Sequence, residues 1–203
     1  ENNNKEIISY DLPPKESTKS FNFIKKIISF LSDSNCGRND LIIACGGGTI
    51  LDLCGFVSSI YMRGLTFFAI PTTLIGQVDV LTAGKTCLNF KNTKNLLGTF
   101  YYPGFVYNNS SILQTCPMKY QRQGFSEVFK YGILASNRLV DVLRKFSQTS
   151  DIKLLREMIE LTMNARVKIS KIDPLASNLG HTFGHALESL FNFKLLHGDA
   201  ISI

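Results

Sequence analysis

The chain contains no apolar run near the ~18 residues that mark a membrane span. Its longest candidate, Leu51 to Ile70, is interrupted by Asp52 and Arg63, so no membrane association is expected. No basic-then-apolar leader follows Glu1, so no signal peptide is expected. Blocks of five or more like charges are absent, which argues against a polybasic arm and a nucleic-acid partner. The five cysteines (Cys36, Cys45, Cys54, Cys87, Cys116) form no CxxC pair. Their odd count and the apolar placement of two of them point to reduced thiols in a cytoplasmic protein, not to disulfides or thiolate metal ligation. Internal repeats and low-complexity tracts are also missing.

What is present is a globular composition. The 203 residues are 44% hydrophobic and 19% charged, enough apolar material for a packed core in one domain or two small ones. Lysine and arginine number 22 against 16 acidic residues, a net charge of +6. The basic residues are scattered through apolar segments, a pattern that suits a small anionic ligand.

Glu1 to Lys5 is polar and expected to fray. Ile7 to Tyr10 reads as a short strand. Phe21, Ile24, Ile27, Ile28 and Leu31 carry helical spacing, and Asn35 to Asp40 reads as a turn. Leu41 to Cys45 reads as a buried parallel strand, Thr49 to about Ser59 as a helix, and Leu65 to Ile70 and Phe105 to Tyr107 as further strands. After about Pro117 helical periodicity dominates, with Ile152, Leu155, Ile159 and Met163 on one face. The reading is α/β over residues 1–112, followed by an all-helical part over 113–203.

Three local patterns carry chemistry. The first is the strand–glycine–helix segment from Leu41 through Gly46, Gly47 and Gly48 to Asp52. Glycines let the backbone approach a phosphate, and a helix N-terminus offers free N–H groups; the alternative is a tight structural turn, since Leu51 breaks the GxGxxG fingerprint. The second is Gly84-Lys85-Thr86. It resembles the end of a Walker A loop, but Asp79 stands where the first glycine belongs, so a P-loop is not expected, and Lys85 is read as a point charge for a phosphate or carboxylate. The third is the histidine group. His181 and His185 are four residues apart and share a helix face, His197 follows, and no other histidine exists in the chain. Catalytic zinc commonly takes three protein ligands; the alternative is ordinary satisfied histidines. Glu127 and Lys130, three apart in an apolar stretch, read either as a surface ion pair or as partly buried charges needing a metal or anion.

Taken in order, the segments 12–20, 46–52, 61–64, 71–74, 77–79, 84–86, 94–98, 127–132, 178–186 and 197–198 resemble the 3-dehydroquinate synthases, a family of sugar-phosphate cyclases. The resemblance implies a Rossmann-like NAD-binding domain followed by an all-helical metal-binding domain, usually as a homodimer. By motif it implies NAD contacts at Glu16, Lys19, Gly47, Gly48, Asp52, Thr72, Thr73, Asp79, Lys94 and Thr115. It implies a divalent metal, zinc or cobalt, on Glu127, His181 and His197. Substrate residues are implied at Arg63, Asp79, Lys85, Asn95, Lys130, Asn178 and His185. The implied reaction converts 3-deoxy-D-arabino-heptulosonate 7-phosphate to 3-dehydroquinate and phosphate, with NAD oxidising and then reducing the ring. Asn178 and His185 side with this branch of the cyclases over its deoxyinosose and valiolone relatives.

The chain departs from the family pattern in several places. Ala83 replaces a glycine, Asp199 replaces a glutamate, and Tyr120 stands where a polar NAD contact is expected. The loop from Asp173 to Asn178 is short and lacks an arginine. Either Arg166 or Lys168 matches a substrate lysine. Two other readings share these residues. A metal-dependent polyol dehydrogenase would have the same glycine turn and histidines but no need of Arg63, Lys85, Lys94 and Lys130. A cyclase-like chain with a purely binding role would have neither metal nor phosphate release. If the histidines ligate, His181→Ala should remove about one metal equivalent per chain, measured by elemental analysis; unchanged metal content would rule the site out.

Overall fold

The computed structural model describes residues 6–80, 84–91, 93–173, 175–191 and 194–203. Glu1 to Lys5 and Ala83 lie outside them. Helix α1 (Phe21–Asp33) buries Ile24, Ile27 and Leu31, the stripe that three- and four-residue spacing puts on one face. That stripe packs with Leu53, Val57 and Leu88.

Strand β1 (Ile42–Gly46), helix α2 (Gly48–Ile60) and strand β2 (Phe67–Pro71) form a βαβ unit. The strands pair in parallel, with Ile42 opposite Phe67 and Gly46 opposite Pro71. Strand β5 (Phe105–Val106) extends the sheet on the other side of β2, giving the order β1-β2-β5. Ile50, Leu51, Leu53, Cys54 and Val57 of α2 are all buried. A helix buried on so many sides needs cover beyond the sheet, and an antiparallel hairpin supplies it. Its strands, β3 (Lys85–Phe90) and β4 (Thr93–Phe100), pair Lys85 with Phe100 and Leu88 with Leu97.

Two sequence expectations are corrected here. Ile7 to Tyr10 is exposed chain with no ladder partner; Tyr10 instead lays its ring on Phe30 at 4.9 Å. Strand β1 is buried on one face only. Ala44 is 1% exposed while Ile43 is 55% exposed, because no described residue covers the face that Ile43 shares with Phe68 and Phe105. Lys85 opens a strand, where a P-loop lysine would open a helix. Gly84 has φ +60°, and a Cβ there would lie 2.6 Å from the Tyr102 ring. Its bareness therefore accommodates Tyr102, not a ligand.

Five helices follow: α3 (Met118–Ala135), α4 (Asn137–Thr149), α5 (Ile152–Ile172), α6 (His181–Leu190) and α7 (His197–Ile201). Side-chain caps define two of their starts: Ser136 accepts from the Leu139 N–H and Asp151 from the Lys153 N–H, each worth ~1 kcal/mol. Their core joins Val128, Tyr131, Leu139, Leu155, Met158 and Ile159. Leu74 and Val78, at a single π-helical turn over Gly76–Val80, belong to the same core. Ile152 and Met163 flank the buried face of α5 instead of forming its centre. Among the described residues no helix is long and apolar enough to cross a membrane.

The short helix α7 is fixed by α3. Gln123 Oε1 accepts the Gly198 N–H at 2.6 Å and the Asp199 N–H at 3.3 Å. Ser126 Oγ donates to the Gly198 carbonyl at 2.7 Å. A Cβ on Gly198 would sit 2.5 Å from the Gln123 backbone, so only glycine lets the helices meet this closely. Gly198→Ala should cost ~1–3 kcal/mol, the usual range for overpacking, and should displace the adjacent His197. An unchanged denaturation midpoint would contradict this packing.

Candidate active site

A cleft of about 800 Å³ runs between the sheet's carboxyl edge and helices α3, α5, α6 and α7. On its α/β side lie Gly47, Gly48, Asp52, Thr72, Thr73, Asp79, Lys85, Lys94 and Asn95, with Glu16, Lys19 and Thr115 at the same wall. On its helical side lie Lys130, Asn178, His181, His185 and His197. Two of the expected residues do not line it. Glu127 lies directly behind the histidines. Arg63 is exposed in the turn after α2, with φ +68°, and is not brought to the cleft.

The glycine turn forms an open cradle. Gly46 ends β1, and Gly47 precedes the first turn of α2 in an extended conformation. A Cβ on Gly47 would meet Thr73 at 3.0 Å, and one on Gly48 would meet Val80 at 3.0 Å. Both glycines line the cleft, and side chains there would crowd Thr73 and Val80 and narrow the approach to the helix N-terminus, where a phosphate is best accommodated. The fit to a dinucleotide rests on that unfilled cradle.

Beside it, Lys19 is 4% exposed and donates to Asp52 Oδ2 and Asn95 Oδ1, both at 2.6 Å. Burial alone would lower its pKa, but the Asp52 and Glu16 carboxylates outweigh burial and raise it. Asn89 completes the group, donating to Glu16 Oε1 at 2.8 Å and accepting the Asn95 N–H at 2.9 Å. Asn95 sits at φ +53°, a left-handed conformation that asparagine tolerates better than most residues. The resemblance implied substrate contact for Asn95; here its amide oxygen is committed to Lys19 on the nucleotide wall.

The helical wall is organised around Glu127, whose carboxylate is 0% exposed. Lys130, one turn along α3, pairs with Oε2 and also donates to the Ser177 carbonyl at 2.8 Å. Oε1 faces His181 Nε2 at 3.7 Å and His197 Nε2 at 3.9 Å. Among the described residues neither carboxylate oxygen accepts a well-directed hydrogen bond, an unusual state for a buried charge. Separations of this size are too long for hydrogen bonds. They approach the edge of a tetrahedron with ligands ~2.0–2.1 Å from zinc, about 3.3 Å. The three donor atoms lie within 4.8 Å of one another. Burial pushes the His181 imidazole down to about 4, so it is neutral near pH 7, the form that ligates metals. Its Nδ1 faces the Leu179 carbonyl at 3.2 Å, which leaves Nε2 directed at Glu127. The donor set therefore fits a divalent cation.

Glu188 belongs to this site and was not among the expected residues. It is 2% exposed, pairs through Oε1 with Lys94, and faces His197 Nδ1 at 3.2 Å through Oε2. Burial alone would raise its pKa, but the His197 hydrogen bond and the Lys94 charge outweigh it and hold the carboxyl at about 2. Its sequence signal was its spacing: Glu188 is three residues after His185 and seven after His181, on the same helix face. Arg166 also faces the cleft, pairs with Asp79 and lies over the Tyr131 ring at 5.9 Å. Of the two alternatives for the basic residue on α5, only Arg166 lines the cleft; Lys168 is exposed outside it. Tyr120 does line the cleft, whereas Asp199 does not.

Lys130 is thus the counter-charge of a buried carboxylate as well as a cleft residue. Removing one partner of a buried pair costs ~3–5 kcal/mol. Lys130→Met should lower metal-free stability by about that much, and added zinc should recover part of the loss. Chemical denaturation with and without zinc checks this; a variant as stable as the parent without metal would contradict the pairing.

Comparison with known proteins follows the same geometry. Residues 9–123 match the N-terminal model of 3-dehydroquinate synthase and residues 124–203 its C-terminal model. A 3-dehydroquinate synthase of Sulfurisphaera tokodaii is 38% identical, over 98% of this chain and 59% of that protein. One from Clostridium perfringens is 38% identical, over 100% of this chain and 60% of that protein. The chain therefore spans about three fifths of the length of these relatives. Among solved structures, the 2-epi-5-epi-valiolone synthase ValA of Streptomyces hygroscopicus, with NAD+ and Zn2+ bound, superposes with a TM-score of 0.85 at 24% identity, over 94% of this chain and 56% of that one. A 2-deoxy-scyllo-inosose synthase complexed with carbaglucose-6-phosphate, NAD+ and Co2+ gives 0.83 at 25% identity, over 93% and 55%. An archaeal alcohol dehydrogenase from a Red Sea brine pool gives 0.66 at 14% identity, over 89% and 54%. The α/β part with its parallel sheet and the helical part after it share the fold of these solved structures, and the chain belongs to the 3-dehydroquinate synthase family.

Proposed function

We propose that the chain carries the nucleotide and metal machinery of a 3-dehydroquinate synthase, acting on 3-deoxy-D-arabino-heptulosonate 7-phosphate with NAD and zinc or cobalt. The observation that carries this reading is the facing of two walls: a glycine cradle with lysines, and a buried Glu127–His181–His197 set, across one cleft. When bound, the dinucleotide supplies and reclaims a hydride, and the divalent cation polarises a substrate hydroxyl.

The chain's own residues do the remainder. Glu127, His181 and His197 hold the cation, and Lys130 offsets the carboxylate charge. Gly47 and Gly48 leave room for the dinucleotide phosphates, and Lys94, held by Glu188, lines the same cleft. Lys85 forms no ion pair among the described residues, so its ammonium is available to the substrate's phosphate or carboxylate. Charge grows on that phosphate as it leaves, and a fixed cation stabilises it most at that stage. Arg166 of α5, paired with Asp79, is a second cation lining the cleft. Asn178 and His185 lie on the cleft wall where the sugar ring's hydroxyls would be bound.

The polyol dehydrogenase reading is less well supported, because a neutral polyol gives Lys85, the cleft lysine without an ion pair among the described residues, no anion to hold. Its fold likeness speaks to architecture alone. A homodimer in the cytoplasm is the setting that the family resemblance suggests. The test is phosphate release from the heptulosonate phosphate by the zinc-loaded chain with catalytic NAD. Phosphate should appear over many turnovers while NADH absorbance stays flat. Stoichiometric NADH accumulation on glycerol, without phosphate release, would favour the dehydrogenase instead.

A further inference from the structure

Glu188 is a buried carboxylate that the expected machinery does not use. Its two oxygens face different parts of the molecule. Oε1 pairs with Lys94 of β4, on the nucleotide wall, and Oε2 faces His197 Nδ1 at 3.2 Å, on the metal wall. An ionised carboxylate only accepts hydrogen bonds. His197 must therefore carry its proton on Nδ1, and its Nε2 lone pair is left facing Glu127 Oε1 at 3.9 Å. His185 lies near, its ring centroid 5.7 Å from that of His197. His185, Glu188 and His197 also bring three donor atoms within 4.8 Å of one another. Two arrangements thus compete for His197: a cation on its Nε2 with Glu127 and His181, or a cation on its Nδ1 with Glu188 and His185.

The surroundings choose between them. Each carboxylate has a lysine on one oxygen, Lys94 on Glu188 and Lys130 on Glu127, so the difference lies at the other oxygen. Glu188 Oε2 is already engaged by His197 Nδ1 at hydrogen-bond distance, whereas Glu127 Oε1 has no hydrogen-bond donor among the described residues. We propose that Glu188 is a positioning residue: it fixes the tautomer and ring orientation of His197 so that Nε2 ligates the metal, and Lys94 holds Glu188 in place for that task. This rests on the Glu127–His181–His197 reading of the metal site. It adds that a nucleotide-wall lysine contributes to metal affinity without touching the metal.

Outer carboxylates of this kind are worth roughly 10–100-fold in metal affinity. The test is zinc affinity of the 203-residue chain, read by competition with a chromophoric chelator. Glu188→Gln keeps the shape but exchanges the acceptor pair for a mixed amide, and should weaken zinc by about 10–100-fold while leaving one site per chain. Lys94→Met should weaken it in the same direction by a smaller factor. His181→Ala should abolish the site. Complete loss in Glu188→Gln with retention in His181→Ala would overturn both the inference and the metal reading, because Glu188 would then be a ligand. Loss in His181→Ala with parental affinity in Glu188→Gln would overturn the inference and keep the metal reading. Parental zinc affinity in Lys94→Met would overturn the part assigned to Lys94. A measurement on the unaltered chain removes any dependence on folding of the variants. Nitrogen-15 histidine spectra of the zinc-loaded protein should show His197 ligated through Nε2 with a protonated Nδ1. Ligation through Nδ1 would overturn the proposal.

Discussion

The arrangement of the helical half turns on one buried charge. Glu127 is fully buried on α3, close to Tyr131, where an ionised group persists only with partners. Lys130 supplies one, one helical turn along α3. The other side of the carboxylate is left to whatever lies between it and two imidazoles. The histidine helices cannot drift from α3 without exposing that carboxylate, and α3 cannot repack without losing its core contacts. Gln123 and Ser126 on α3 reinforce the same geometry by holding the first turn of α7 through its backbone.

The nucleotide wall follows a different principle. Its charges are cross-linked to one another: Lys19 ties Asp52 of α2 to Asn95 of β4, and Glu16 ties in Asn89. Much of the expected NAD-contact set is thus already engaged, holding the hairpin against α2. The cradle itself is made by omission, through glycines whose missing side chains leave the helix end open. Glu188 links the two walls, because its oxygens belong to Lys94 on one side and His197 on the other.

Periodicity made the helices legible in advance. Ile24, Ile27 and Leu31 are buried as their spacing requires, and Leu155 and Ile159 likewise. The β3–β4 hairpin was not legible. Only Thr86 and Leu88 of β3 are buried, and a threonine does not stand out in a hydrophobic alternation. Strand β1 has an apolar sequence on both faces, which reads as fully buried, but burial depends on what packs over a face, and no described residue covers the face of Ile43. At the site, the glycine turn and the three histidines announced themselves through residue type and spacing. Arg63 was expected from motif order alone, and motif order does not specify which way an exposed turn faces. Glu188 escaped because a lone glutamate on a helix usually faces solvent; only the folded chain shows it enclosed by Lys94 and His197.

The central claim is that a divalent cation belongs between a carboxylate and two imidazoles, with no thiolate, although three of the five cysteines (Cys45, Cys87 and Cys116) line the same cleft. X-ray absorption at the zinc edge of the chain loaded with one equivalent of zinc addresses it directly. The account predicts a shell of nitrogen and oxygen alone at ~2.0–2.1 Å, with outer-shell scattering from two imidazoles. Sulfur scattering at ~2.3 Å, or the absence of imidazole scattering, would contradict it.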